Sequence, residues 1–216
     1  VTESEAPVEP SFDARVRAGV ALYNSGFRHP AHDAWEAVWL GLDDGTDDER
    51  FLHGLIQFTA VAVHAERRNW AGLQGLAASA QNYLQGLPDE YRQVDVVGVR
   101  NALAEIAADP ELVERRGFPP LRYDGAVLSL PGLDVDAALV AAPIVASETA
   151  LDQEAVQAGV QYAWQDIASG EGTSRFVTLA ADVAREEHHR PLVVQRLSQH
   201  VQRRQRREAD VEGLFD

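Results

Sequence analysis

Cysteine is absent from the 216 residues, and so is lysine. Without thiols the chain can form no disulfide, no zinc knuckle and no cysteine nucleophile. No uninterrupted apolar run approaches the roughly 20 residues that a helical membrane span needs. The opening stretch, Val1 to Pro10, has no basic n-region and carries three glutamates and two prolines. It reads as a frayed acidic tail rather than a signal peptide.

What replaces lysine is informative. All 19 basic residues are arginine, and 34 acidic residues bring the formal charge to −15. Self-repulsion of that size disfavours a compact state in dilute buffer, but the Debye length falls to about 3 Å at 1 M salt. An acidic, lysine-free surface therefore points to a halophilic, cytoplasmic protein. A GC-rich genome writing arginine for lysine is the blander explanation. The charge makes nucleic acid a poor partner. The one basic cluster, Arg203, Arg204, Arg206 and Arg207, reads as a helix end, where cations complement the dipole. Neither a membrane nor a cofactor is expected.

Apolar residues make up 45% of the chain, enough for a real core. Their spacing is helical almost throughout. Ser11 reads as an N-cap and Gly26 as the residue beyond a C-terminus, with Phe12, Val16, Val20 and Tyr23 between them. Pro30 suits the first turn of a second helix reaching about Leu40. An acidic loop, Gly41–Thr46, leads to a third helix over about Asp47–Arg68, and a fourth spans about Trp70–Leu84. A fifth covers Val96–Ala108. Between Gly117 and Pro131 the period lapses, and Asp124-Gly125 between short apolar pieces suggests a hairpin over 121–128. Helical pattern returns over Asp134–Ser147, Asp152–Ala168, Ser174–His188 and Pro191–Arg207.

The spacing thus predicts an all-α chain built as an antiparallel helical bundle. Residues 1–10 form the tail, 11–110 an N-terminal helical domain, 111–133 a connector and 134–216 a C-terminal helical extension. In the extension, Tyr162, Trp164, Ile167, Phe176 and Leu179 read as core. Glu186, Glu187, His188 and His189 read as a solvated helix end. Val211, Leu214 and Phe215 are expected to dock back onto the body. The extension packs on the first five helices or mediates self-association, so a homo-oligomer is one option for a partner.

One feature of the third helix needs an explanation beyond packing. At about 100° per residue, Leu52, Leu55, Ile56, Thr59 and Val63 cluster on one side, while Phe58, Ala62, Ala65 and Val61 cover others. His53, Gln57 and His64 nevertheless fall at about 100°, 140° and 120° from Leu52, as one polar stripe in a largely apolar helix. Buried polar groups require partners or cost about 1–3 kcal/mol each. On the second helix, His32, Trp35, Glu36 and Trp39 share a face through i, i+3, i+4, i+7 spacing. Counting about 1.5 Å per residue from the intervening loop brings His32 level with Gln57 and Glu36 level with His53, with His64 about 10 Å beyond.

Three chemistries fit this set. The first is a structural hydrogen-bond network in which Glu36 accepts from a histidine, Gln57 bridges and the indoles find acceptors. The second is an acid–base or small-ligand site with His32 and Glu36 as catalytic candidates and Trp35, Trp39, His53, Gln57 and His64 as ligand-binding candidates. The third is a metal site on His32, Glu36 and His53. The order of residues matches neither the His-Glu-x-x-His zinc motif nor the paired Glu-x-x-His pattern of di-iron bundles, so no metal is predicted.

The same residues carry a resemblance. Gly19-Val-Ala-Leu-Tyr-Asn-Ser-Gly26, Ala31-His-Asp-Ala-Trp-Glu36 with Trp39, Phe51-Leu-His-Gly-Leu-Ile-Gln57, His64 and Asn69 together resemble domain-of-unknown-function family 309. The likeness covers about Ser11 to Leu87. It implies a small all-helical fold found in bacteria and archaea, without assigning an activity. It places the family's polar positions on His32, Glu36, Gln57 and His64. Two positions depart from the family pattern: Asp33, where glutamate is commoner, and His53, where glutamine is commoner. Gly19, Tyr23, Gly26, Phe27, Ala31 and Trp35 also echo a tetratricopeptide repeat. No third copy appears at a period of about 34 residues, which weakens a peptide-binding groove. Two functional classes stay open: a structural or interaction module with a peptide or protein partner, and an enzyme or small-ligand binder.

Overall fold

Helix-start and helix-stop chemistry sets most of the boundaries in the computed structural model, which describes residues 9–212. The first helix, α1 (Phe12–Asn24), begins after Ser11 and stops before Gly26, whose φ of +94° is the left-handed conformation expected beyond a C-terminus. A second helix, α2 (Ala31–Trp39), follows Pro30. Thr46 caps the third, α3 (Asp47–Glu66), its hydroxyl accepting from the Glu49 N–H. Asn69 caps α4 (Trp70–Leu84) and Asp95 caps α5 (Val96–Ala108) in the same way. The expected tail lies largely outside the described residues, as do Leu214 and Phe215.

By its contacts the described chain divides into two compact units, one of residues 12–132 and one that begins at Leu133. In the first unit each helix packs on the next in sequence, α1 on α2, α2 on α3, α3 on α4 and α4 on α5. The short loops make this an up-and-down arrangement. Trp35 shows how tightly α1 and α2 approach. Its indole is fully buried, donates to the Val16 carbonyl at 3.3 Å, and occupies the space a Cβ at Gly19 would need. Phe51, Leu52, Leu55 and Phe58 on α3 complete the core with Leu73 and Leu84 on α4.

The hairpin near 121–128 is present as β3 (Arg122–Tyr123) and β4 (Ala126–Val127), turned through Asp124 and Gly125 at φ of +49° and +70°. It has a counterpart with no sequence signal. Strands β1 (Glu90–Tyr91) and β2 (Val94–Asp95) turn through Arg92 and Gln93 at φ of +50° and +63°. Turns of this kind favour glycine or asparagine, and here the tertiary contacts of Arg92 hold the loop. Its guanidinium grips Asp48 through Nε at 2.9 Å and Nη2 at 2.6 Å and lies over the Phe12 ring. The two hairpins join through Val94 and Tyr123 into one four-stranded antiparallel sheet. A short helix, α6 (Leu112–Arg116), also lies in the segment read as a connector, and the segment up to Gly132 belongs to the first unit.

The second unit holds α7 (Val135–Glu148), α8 (Gln153–Ala168), α9 (Arg175–Arg185) and α10 (Arg190–Glu212). Asp134, Asp152 and Ser174 cap the first three. Helix α9 packs on the other three, and α8 also meets α7 and α10. Arg190, only 6% exposed, donates to the Val183 and Ala184 carbonyls at the end of α9 and so satisfies acceptors that the helix leaves open. Glu186 to His189 are exposed between α9 and α10, as expected of a helix end.

Two expectations for this unit are corrected. Its core is made of alanine, valine and leucine, among them Ala138, Ala142, Val145, Ala181, Val183 and Leu197. Tyr162, Trp164, Ile167, Phe176 and Leu179 are only half-buried. Small side chains let the helices approach closely, which leaves the rings to the margins, where Tyr162 and Phe176 flank the Arg204 guanidinium. The arginine cluster does not end its helix, because α10 runs on to Glu212. Arg204 is instead an internal tie, donating to buried Asp166 at 2.8 Å and to Glu208 at 3.1 Å. No helix among the described residues is long and apolar enough to cross a membrane.

Candidate functional site

Thr46-Asp47-Asp48-Glu49 has the form of a capping box, in which the glutamate would reach back to the Thr46 N–H. Only half of the box forms. The Glu49 carboxylate turns aside, and Oε1 accepts from the Trp39 indole at 3.0 Å and from His53 Nδ1 at 3.1 Å, while Oε2 accepts from the Gly45 N–H at 3.3 Å. One side chain thus ties the end of α2, the α2–α3 loop and the second turn of α3. Burial works against ionisation of Glu49, but the donors on Trp39, His53 and Gly45, with the charge of a protonated His53, outweigh it and hold its carboxyl below the usual glutamate range.

An ionised carboxylate can only accept, so His53 Nδ1 carries a proton. In the neutral imidazole Nε2 is then the basic nitrogen, and no hydrogen-bond partner for it exists among the described residues. The ring is held on two further sides, stacked on Tyr83 at 3.8 Å and edge-on to Trp39 at 4.8 Å. These residues wall a cleft of about 580 Å³ together with Asp44, Gly45, Arg50 and Asn82. That volume is in the range of small-ligand sites, about 300–1,000 Å³.

The residues singled out from sequence divide among separate environments. His32 Nε2 lies 3.4 Å from Glu36 Oε2, with side chains 26% and 45% exposed, and its ring stacks on His29. Among the described residues, no hydrogen bond, ion pair or ring contact joins His32 or Glu36 to His53 or Gln57. Trp35 is core, fully buried against Gly19 and the Val16 carbonyl. Gln57 Oε1 and His64 Nδ1 are sealed from solvent without a hydrogen-bond partner. His64 packs over Gly72 in the first turn of α4, where a Cβ would meet its Nδ1 at 2.2 Å. The metal candidates separate likewise. His32 and Glu36 gather with Asp33, their donor atoms within 4.8 Å of one another, rather than with His53.

Of the cleft residues only Trp39 and His53 were among the sequence candidates, and Glu49 and Tyr83, which also touch the His53 ring, were not. Glu49 carried a usable signal, since it stands four residues before His53 and closes a capping-box pattern. Tyr83 carried none, because its stack on His53 depends on how α4 packs against α3.

A search of curated proteins finds no match to the chain. Residues 16–76, which include α2, Glu49 and His53, match the family described as "Domain of unknown function (DUF309)". The matched segment runs from α1 into α4, and it is this segment that is similar to the family.

Proposed function

We propose that the first unit is a small-ligand-binding module whose site is the cleft between Trp39 and Tyr83, with the Glu49–His53 pair as its polar end. One observation carries this reading: an imidazole fixed in a single tautomer by an ionised carboxylate, with its second nitrogen left unpartnered in the wall of a cleft. A group held this way can accept a hydrogen bond or a proton from whatever enters. The acidic, lysine-free composition supports a salt-rich cell interior as the setting. A purely structural role for the same network is the second reading, favoured by the three donors that satisfy Glu49.

Screening a fragment set of mixed charge by the imidazole and indole proton–nitrogen resonances of His53 and Trp39 separates the two. Binding predicts fragments that shift both resonances and lose that effect in a folded His53→Ala variant. If no fragment moves either resonance and His53→Ala simply unfolds the unit, the structural reading stands instead.

A further inference from the structure

The walls and the charge of the cleft specify more than its existence. Trp39 and Tyr83 contribute electron-rich rings, and aromatic faces attract cations, most strongly when desolvated. Two carboxylates share the space, Glu49 within and Asp44 at the exposed rim. Oε1 of Glu49 is saturated by two donors, but Oε2 has only the long contact from Gly45 and keeps acceptor capacity. The one guanidinium in the lining, Arg50, is drawn off, donating to the Gln85 carbonyl and standing 3.5 Å from Asp47 Oδ1.

The N-terminus of α3 adds a partial positive charge of about half a unit. Asp47, Asp48 and Glu49 in its first turn outweigh it, although Asp48 is occupied by Arg92 and the Tyr91 hydroxyl. With His53 neutral, the sign inside the cleft is therefore negative, and an anion would meet Asp44 and Glu49 while Arg50 is already engaged with Gln85 and Asp47. Resting on the binding role proposed above, we infer that the ligand is a small organic cation of the alkylammonium class. Its charged group sits against Glu49 Oε2 and the Trp39 and Tyr83 rings.

The test compares choline with its uncharged isostere 3,3-dimethylbutan-1-ol, each titrated at constant ionic strength while the Trp39 indole and His53 resonances are followed. Choline is expected to bind at least about tenfold more tightly than the isostere. Tyr83→Leu and Asp44→Asn are each expected to weaken choline several-fold with little change for the alcohol. Asp44 is exposed, so its variant keeps the test readable if Tyr83→Leu disturbs packing. Equal binding of choline and the isostere overturns the cation assignment and leaves the binding site standing. The cation assignment is equally overturned if choline is silent while neutral or anionic fragments shift His53. If no compound of any charge perturbs the cleft, both the ligand class and the site fall together.

Discussion

Replacing Glu49 by glutamine tests the centre of the cleft most sharply, since shape is kept while charge and one acceptor are removed. The carboxylate faces three donors, two on Oε1 and one on Oε2. A glutamine supplies one oxygen and one amide nitrogen, so either the Gly45 N–H or the Trp39 and His53 pair confronts another donor. Hydrogen bonds to a charged group contribute about 1.5–3 kcal/mol against about 0.5–1.5 for neutral ones, and an unmet buried donor costs about 1–3 kcal/mol. Because the Glu49 side chain is only 10% exposed, little of this is recovered by water. Glu49→Gln is therefore expected to destabilise the first unit by about 2 kcal/mol at neutral pH.

The loss has a pH signature. The folded carboxyl is held below its ordinary range, so its contribution is complete above the unfolded value and disappears as pH falls through the folded one. Urea unfolding followed by tryptophan fluorescence in a Trp164→Phe background reads this unit, because the other three tryptophans, Trp35, Trp39 and Trp70, lie within it and Trp164 lies in the second unit. The gap between wild type and Glu49→Gln should close on acidification into the range where Glu49 takes up its proton. Trp39→Phe should be non-additive with Glu49→Gln, with a coupling of about 0.5–3 kcal/mol. A deficit independent of pH, together with additive single variants, would show that Glu49 is not the acceptor described.

Two further outcomes follow. Gly19→Ala places a Cβ 2.1 Å from Trp35 Nε1, so it should cost about 1–3 kcal/mol or more through overpacking, and a variant as stable as wild type in the same urea assay contradicts the α1–α2 approach described. With 34 acidic residues against 19 arginines, the melting temperature should climb with potassium chloride well beyond the concentration that screens ordinary surface pairs, and a melting temperature indifferent to salt refutes the salt-rich setting.

Much of the fold was legible in sequence because its signals are local. Thr46, Asn69, Asp95, Asp134, Asp152 and Ser174 each cap the helix that the apolar spacing predicts, and Asp124-Gly125 makes the hairpin turn its residue types favour. The first hairpin was hidden because Arg92 and Gln93 are not turn formers. Its energy comes from Asp48 and Phe12, which are distant in sequence. The candidate cluster failed for a related reason. A helical wheel orders residues around one axis, but it does not fix the rotation and offset between α2 and α3. Those place Trp39, rather than Glu36, beside His53.

The amino-acid sequence by itself determined where helices begin and end, and the sign of the charge the surface carries, because caps, turns and net charge depend on neighbours along the chain. Only the tertiary structure decided that the Glu49–His53 pair, rather than His32 and Glu36, is closed in by the Trp39 indole and the Tyr83 ring. Glu49 had two competing destinies, closing its own capping box or reaching Trp39 and His53. His53, one turn further along α3, is within 3.1 Å as soon as that helix forms, and packing α2 on α3 adds the Trp39 indole at 3.0 Å, so that the two donors together settle the choice.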